Sequence, residues 1–266
     1  MEIIDVVLLG ILQGLTEFLP VSSSGHLVLG QYLLGIKSPG NTLEILFHIG
    51  TLGSVILVFF YDIKKIVLTL NEKPTQKLLI FISIATLPAM IIGFVFRHKI
   101  NNLFESVNSV GYALCVTGVV LIFSSTFNNN DRKHSLFSSA MIGLAQAVAI
   151  IPGISRSGVT ITASLFLGFS PKESAKFSFL LSIPIIFGAG LLGILGLQNE
   201  NTFSLSVILA AFFSSFLVGI LALRALLKLL ELGKFYFFGI YCICIGLVSI
   251  FIYKKYISIK TSYNIL

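Results

Sequence analysis

The heptapeptide PVSSSGH, residues 20–26, interrupts an otherwise apolar part of the sequence. Apolar sequence lies on both sides of it, MEIIDVVLLGILQGLTEFL at 1–19 and LVLGQYLLGI at 27–36. Irregular backbone and polar residues at membrane depth are tolerated only where protein or a water-filled cavity surrounds them. The heptapeptide therefore predicts a helix that is broken inside a membrane, with a polar site at the break.

The composition places the whole chain in a membrane. Of its 266 residues, 56% are hydrophobic and only 11% are charged, whereas soluble domains carry about 25% charged residues. Apolar runs approach the ~20 residues that a helix needs to cross a bilayer, and they lie at 43–61, 78–96, 107–124, 177–197, 203–223 and 235–253. We expect an all-α polytopic membrane protein.

The broken segment occurs twice. GILQGLTEFLPVSSSG at 10–25 aligns with GLAQAVAIIPGISRSG at 143–158, half a chain further on. The identical positions are Gly10 and Gly143, Gln13 and Gln146, Ser22 and Ser155, Ser24 and Ser157, and Gly25 and Gly158. Self-similarity at a fixed offset indicates an internal repeat. We therefore predict one membrane domain, 1–266, that consists of two repeats, 1–133 and 134–266.

The distribution of positive charge predicts the orientation. Most basic residues lie in the segments 62–77, 125–137, 170–176 and 224–234, which the positive-inside rule places in the cytoplasm. Each broken segment then enters and leaves on one face, the first from outside and the second from inside. The predicted fold is an inverted-topology repeat with six full transmembrane helices and two re-entrant helical hairpins, whose tips meet near the middle of the membrane.

The tips of the two hairpins carry the residues of an anion site. Ionisable residues inside a membrane are functional candidates, and the tips hold Glu17, His26 and Arg156. An arginine binds two phosphate oxygens at once, and glycines such as Gly25 and Gly158 let backbone amides approach an oxyanion. The surrounding hydroxyl residues are Thr16, Ser22, Ser23, Ser24, Ser155, Ser157, Thr160 and Thr162.

Several of these residues have more than one possible role. Glu17 suits a hard cation or a proton acceptor, and His26 suits a nucleophile, a base or an acid. Gln13 lies four residues before Glu17, on the same helix face. The tip serines also suit helix caps. Glu44 and His48, spaced i, i+4, form either a structural pair, which is favoured, or groups that support the site.

The motifs QGLTEFLPVSSSGH (13–26) and PGISRSG (152–158) resemble the two signature motifs of the bacterial undecaprenyl pyrophosphate phosphatases, the bacitracin-resistance type. The resemblance in length, motif spacing and hydrophobic layout covers nearly the whole chain. It implies hydrolysis of undecaprenyl diphosphate to undecaprenyl phosphate, which recycles the lipid carrier for peptidoglycan synthesis. It further implies a divalent cation, Mg²⁺ or Ca²⁺, and a bacterial cytoplasmic membrane protein whose active site faces the periplasm or exterior.

The resemblance also implies roles for residues. Ser23 attacks the terminal phosphorus, Glu17 or His26 accepts its proton, and Arg156 holds the phosphoryl group; His26 is the alternative nucleophile. The family motif has Glu or Gln at the position of Gln13, so this chain has only one of the two possible carboxylates, and the resemblance implies Glu17 as the metal ligand. The remaining substrate-binding candidates are Gln13, Ser22, Ser24, Gly25, Ser155, Ser157, Gly158 and Thr160.

A transporter is the alternative function, because inverted repeats with broken helices are common among carriers. A flippase for polyprenyl phosphate needs the same anion site but no nucleophile. The expected partners are the polyprenyl diphosphate substrate, membrane lipid and a second copy in a homodimer. A nucleic-acid partner is not expected, because the net charge of +7 is spread over short loops rather than clustered on one face.

Overall fold

The computed structural model describes residues 2–36, 42–96, 106–125, 132–195 and 203–263, and all regular structure in these ranges is helical. The helices are α1 Ile3–Phe18, α2 Ser23–Leu33, α3 Thr42–Val58, α4 Phe60–Leu68, α5 Lys73–Val95, α6 Val107–Ser124, α7 Leu136–Val148, α8 Arg156–Phe166, α9 Pro171–Leu195, α10 Leu205–Glu231 and α11 Tyr236–Tyr263. Five described helices are long and apolar enough to cross a membrane, and the number is six if the bent pair α3–α4 is one span. The all-α polytopic class is confirmed.

The helix boundaries follow the apolar runs closely. The predicted span 107–124 coincides with α6, and α5, α9, α10 and α11 contain most of the other long runs. The last two residues of the predicted span 177–197 and residues 126–131 of the predicted loop 125–137 lie outside the described residues. The inverted orientation of the two repeats stays a prediction.

The predicted loop 62–77 differs, because most of it is helical. The chain bends by 73° between α3 and α4, and α4 carries the acidic Asp62 in its first turn and the basic Lys65 in its last turn. Charges in these positions complement the helix dipole. Asp62 also pairs with Lys176 of α9, so this segment is helical and attached rather than a free loop.

Pairs of glycines bring α6 and α11 into close contact. A Cβ on Gly118 would lie 2.6 Å from the Gly239 carbonyl oxygen, and a Cβ on Gly246 would lie 2.6 Å from that of Gly111. Small residues of this kind let helix backbones pack closely in a membrane, where the hydrophobic effect does not drive helix association. The spacing of seven residues on both helices fixes their antiparallel register.

Helices of the two sequence halves are interleaved. Helix α1 packs extensively on α10, and α7 packs on α5. The first helix of each half therefore contacts a helix of the other half. A buried core joins Phe18 of α1, Val55 of α3, Ile161 of α8, Phe179 of α9 and Leu223 of α10. This packing holds the breaks at 19–22 and 149–155 against each other.

Candidate active site

The two hairpin tips are in direct contact. A Cβ on Gly25 would lie 3.0 Å from Cα of Gly153, and Gly153 has a φ of +98°, a conformation that favours glycine. Ser157 Oγ donates to the carbonyl oxygen of Leu19 at 3.4 Å. The sequence placed these segments half a chain apart, and the fold brings them to one point.

Each tip ends in the first turn of a helix. The Ser22 hydroxyl accepts from the Gly25 amide at 3.3 Å, and the Ser155 hydroxyl accepts from the Gly158 amide at 3.1 Å. Ser22 is the non-glycine residue with positive φ (68°) in the described chain, and such backbone strain, about 1–3 kcal/mol, clusters at functional sites.

Because α2 begins at Ser23 and α8 at Arg156, these two residues occupy equivalent positions of the repeats and lie at helix N-termini, which favour anions.

Glu17 lies at the centre of the contact between the tips. Its Oε1 accepts from Arg156 Nη2 at 2.8 Å, and its Oε2 accepts from Ser23 Oγ at 2.6 Å and from Gln13 Nε2 at 3.0 Å. The Glu17 side chain is only 5% exposed. A buried carboxylate is stable only with such partners, so the pairing with Arg156 joins the two halves and holds Ser23 with its hydroxyl directed at a proton acceptor.

A cavity of about 260 Å³ opens beside this cluster and has a polar and an apolar part. The polar wall consists of Glu17, Ser22, Ser23, Ser24, His48, Gln146, Ser155 and Arg156. The apolar wall consists of Ala89, Ala149, Ile150, Ile154, Ile185, Ile186 and Ala189. A cavity with this division suits a ligand that has a charged head and a hydrocarbon tail.

One guanidinium nitrogen of Arg156 has no hydrogen-bond partner among the described residues. Its Nη2 is held by Glu17, while Nη1 is buried and has no hydrogen-bond partner among the described residues. Buried polar groups are rarely left unpaired in folded proteins. Because Arg156 also lines the cavity, its unpaired nitrogen suits an anionic ligand that would accept from it.

His26 lies behind the tip, outside the cavity lining. Its Nδ1 donates to the carbonyl oxygen of Ser22 at 2.8 Å, and its Nε2 lies 2.9 Å from the hydroxyl of Tyr241 on α11. The two rings are stacked, with centroids 5.6 Å apart. Since both ring nitrogens have protein partners, His26 fixes the tip to α11 in this structure, and Ser23 is the nucleophile candidate that reaches the cavity.

Other predicted substrate contacts also lie outside the lining. Gln13 is fully buried against Glu17, and Ser157 contacts Ser155 Oγ at 3.3 Å. Thr160 donates to the Arg156 carbonyl oxygen at 2.8 Å and lies 2.7 Å from the Ser178 hydroxyl. The lining also omits Gly25 and Gly158, which shape the tips by close packing and by donating to the capping serines.

Three residues of the site have little or no signal in the sequence. His48 lines the cavity with Nε2 3.8 Å from Glu17 Oε2, while its Nδ1 donates to the Glu44 carbonyl oxygen at 2.7 Å. The i, i+4 spacing of Glu44 and His48 was the available signal, although the favoured structural pair involves the backbone of Glu44. Gln146 was marked by its alignment with Gln13, and Tyr241 had no signal.

The donor set allows only a limited metal site. No group of three His, Cys, Asp or Glu side chains among the described residues could hold a metal ion. Glu17 is the one carboxylate of the cavity lining, and its oxygens already accept from three side chains. Since Mg²⁺ typically uses one or two carboxylates together with substrate phosphates, these residues fit a cation that the substrate's phosphates largely coordinate.

The fold and the site together define a multi-pass helical membrane protein with a cavity, lined by Glu17, Ser23 and Arg156, between two helical hairpins. The chain belongs to the bacitracin resistance protein BacA family, whose model matches residues 6–248.

Curated relatives cover almost the whole chain. An undecaprenyl-diphosphatase of Halothermothrix orenii is 44% identical over 256 residues, 94% of this chain and 98% of the relative. One of Desulforapulum autotrophicum is 43% identical over 270 residues, and one of Methanosphaera stadtmanae is 36% identical over 271 residues, each with the same coverage. The family resemblance of the two motifs is confirmed.

Proposed function

We propose that this protein hydrolyses undecaprenyl diphosphate to undecaprenyl phosphate and inorganic phosphate. Relatives named undecaprenyl-diphosphatase match it over 94% of its length. The observation that carries the proposal is a cavity lined by two residues: Ser23, which is hydrogen-bonded to a carboxylate, and Arg156, whose Nη1 is buried without a partner among the described residues. A nucleophile, a proton acceptor and a phosphate-binding cation in one place are the parts that phosphoryl transfer requires.

The reaction starts from the hydrogen bond between Ser23 and Glu17. Ser23 Oγ attacks the terminal phosphorus while its proton passes to Glu17 Oε2, 2.6 Å away. The bond from this phosphorus to the bridging oxygen breaks, and undecaprenyl phosphate leaves. Water then attacks the phosphoserine, and Ser23 regains its proton from Glu17 as inorganic phosphate leaves. Ser23 is preferred to His26 because both nitrogens of His26 are bonded to protein groups.

Arg156 stabilises the transferred phosphoryl group. Nη1 donates to a phosphoryl oxygen while Nη2 stays on Glu17 Oε1, so that one guanidinium orients both the base and the electrophile. The N-termini of α2 and α8, which meet at the tips, add partial positive charge. Preorganised donors of this kind are worth about 2.7–4 kcal/mol each in a water-poor site.

A divalent cation, Mg²⁺ or Ca²⁺, is part of the proposal. Glu17 is the carboxylate that would contact it, and the amide oxygen of Gln13, which is buried without a partner among the described residues, is a second oxygen nearby. The cation would neutralise charge on the diphosphate. Removal of divalent cations with a chelator is expected to lower phosphate release, and added Mg²⁺ or Ca²⁺ is expected to restore it.

The apolar wall of the cavity supports a lipid substrate that enters from the bilayer. Ala89 of α5 and Ile185, Ile186 and Ala189 of α9 line it, and a polyprenyl chain between these helices avoids water. We place the enzyme in the bacterial cytoplasmic membrane with the cavity facing the periplasm or exterior. There it recycles the lipid carrier for peptidoglycan synthesis and confers bacitracin resistance. A homodimer stays a prediction, checked by its mass in detergent.

The experiment that tests the function is phosphate release from undecaprenyl diphosphate by the purified protein in detergent. Wild type is expected to turn over, Ser23→Ala to lose activity by orders of magnitude, and His26→Ala to keep a measurable rate. Ser249→Ala on α11 is the matched control. A folded wild type that releases no phosphate with Mg²⁺ or Ca²⁺ would exclude the enzyme and favour the alternative, a carrier of polyprenyl phosphate.

A further inference from the structure

A groove lies at the N-terminal ends of α5, α7 and α9, and it shares no residue with the active-site cavity. It consists of two adjoining cavities, of about 300 and 680 Å³, that have Lys133 and His134 in common. The smaller is lined by residues with polar or charged side chains, which are Arg132, Lys133, His134, Ser170 and Glu173. The larger is mainly apolar, lined by Pro74, Lys77, Leu78, Ile80, Phe81, Lys133, His134, Ser135 and Leu136.

The polar end of the groove is held in place by the turn between α8 and α9. The Arg132 amide donates to the Gly168 carbonyl oxygen at 3.1 Å. Gly168 has a φ of +90°, and a Cβ there would lie 3.1 Å from Cδ of Arg132, so the arginine stem lies directly on this turn. The His134 ring is stacked on Phe169 and Phe177 at 4.2 and 4.3 Å.

The groove carries three basic side chains that a ligand could contact. Lys77, Arg132 and Lys133 are exposed, and none of them forms an ion pair with a described residue. Glu173 is the acidic residue in the lining. Burial lowers the pKa of His134, against the opposing effect of the Glu173 carboxylate, so the ring is neutral near pH 7. Its Nδ1 is buried without a partner among the described residues.

The apolar end faces outward. Ile80 and Leu136 are 50% and 59% exposed, and Leu78 and Phe81 form the floor beside them. Ile80 lies on α5, which is long and apolar enough to cross a membrane, and Leu136 begins the shorter apolar helix α7. Arg132 and Lys133 at one end, with Lys77 beside an apolar trough at the other, match a molecule with a phosphate head and an acyl chain. A free phosphate would use only the basic residues.

We propose that this groove binds an anionic membrane phospholipid. Lys77, Arg132 and Lys133 contact the phosphate of the headgroup, and an acyl chain lies along Leu78, Phe81 and Leu136. Basic pockets between transmembrane helices bind anionic headgroups in this way. The groove is separate from the phosphatase site, so the proposal stands or falls independently of the proposed reaction.

The test measures binding of phosphatidylglycerol and of phosphatidylcholine with identical acyl chains to the purified full-length protein by native mass spectrometry. Phosphatidylglycerol is expected to bind wild type at least tenfold more tightly. Each charge removed from the groove is expected to weaken that binding about fivefold. The test variant is Lys77→Gln, Arg132→Gln and Lys133→Gln combined. The control is Lys64→Gln, Arg224→Gln and Lys228→Gln combined, which removes the same charge from residues outside both cavities.

Two further measurements separate the sources of the phosphate. Leu136→Asn is expected to weaken phosphatidylglycerol binding several-fold and to leave any binding of inorganic phosphate unchanged. Equal losses in the two triple variants would overturn the proposal, because they would indicate unspecific surface charge. Competition by inorganic phosphate with no effect of Leu136→Asn would also overturn it, in favour of a free-anion site. If the triple variant does not fold, Lys77→Gln alone on the exposed first turns of α5 serves in its place.

Discussion

Replacement of Arg156 by lysine tests the central claim about the site. The lysine keeps a positive charge beside Glu17 Oε1, which arginine now contacts at 2.8 Å. A lysine ammonium is a single point charge on a flexible stem, so it cannot hold Glu17 and also supply the second nitrogen that is unpaired in this structure. Arg156→Lys therefore removes the phosphate contact while it keeps most of the ion pair.

The expected magnitude follows from the loss of one preorganised donor. Such a loss costs about 2.7–4 kcal/mol in the transition state, or about 10²–10³ in rate. Arg156→Ala is less informative, because it leaves a carboxylate of 5% exposure unpaired and breaking a buried pair costs about 3–5 kcal/mol of stability. Arg156→Lys is expected to lower kcat/KM by about 10²–10³ with a small change in melting temperature.

The assay is the initial rate of phosphate release from undecaprenyl diphosphate over a range of substrate concentrations, with the melting temperature measured on the same preparation. Arg224→Lys, an exposed arginine of α10 outside the cavity, is the control. If Arg156→Lys kept kcat/KM within threefold of wild type, Nη1 would have no part in catalysis and the reasoning would fail.

Three further predictions follow from other contacts. Tyr241→Phe removes the hydrogen bond to His26 Nε2, worth about 0.5–1.5 kcal/mol; kcat is expected to fall roughly two- to tenfold with KM unchanged, and an unchanged kcat would remove the role of α11 in holding the tip. Gly118→Ala places a Cβ 2.6 Å from the Gly239 carbonyl oxygen; a thermal-shift assay is expected to show a melting temperature several degrees lower, a cost of about 1–3 kcal/mol, whereas Gly190→Ala, with open space around it, is expected to show none. Ala89→Trp places a large side chain in the apolar part of the cavity and is expected to raise KM for undecaprenyl diphosphate several-fold. The control is Met90→Trp, on the exposed face of the same helix. Equal effects of the two substitutions would argue against a lipid tail in the cavity.

The sequence specified the secondary structure better than it specified the contacts within the site. Apolar runs predicted the spanning helices because the bilayer demands internal hydrogen bonding along about 20 residues. The helix α4 was missed because the apolar run 43–61 ends at its second residue and the rest of the helix mixes apolar and charged side chains. Its form depends on the bend after α3 and on the pairing of Asp62 with Lys176.

The repeat predicted which residues belong to the site, and the tertiary structure decided which partners each of them contacts. Glu17, Ser23 and Arg156 meet as expected. His26 was also predicted to belong to the site, but its ring contacts Tyr241, which is 215 residues away in the chain. Sequence spacing cannot show which side of a turn a ring occupies, because that depends on packing between helices distant in sequence.

By itself, the sequence determined the membrane fold class, the family motifs and the positions of the two breaks, since these follow from local composition and periodicity. Only the tertiary structure decided that His48 and Gln146 line the cavity while Gln13 and Thr160 do not. The physical reason is that hydrogen bonds over 2.6–2.9 Å depend on the mutual placement of α1, α2, α8 and α11. That placement is set by side-chain packing between the halves, which no single segment encodes.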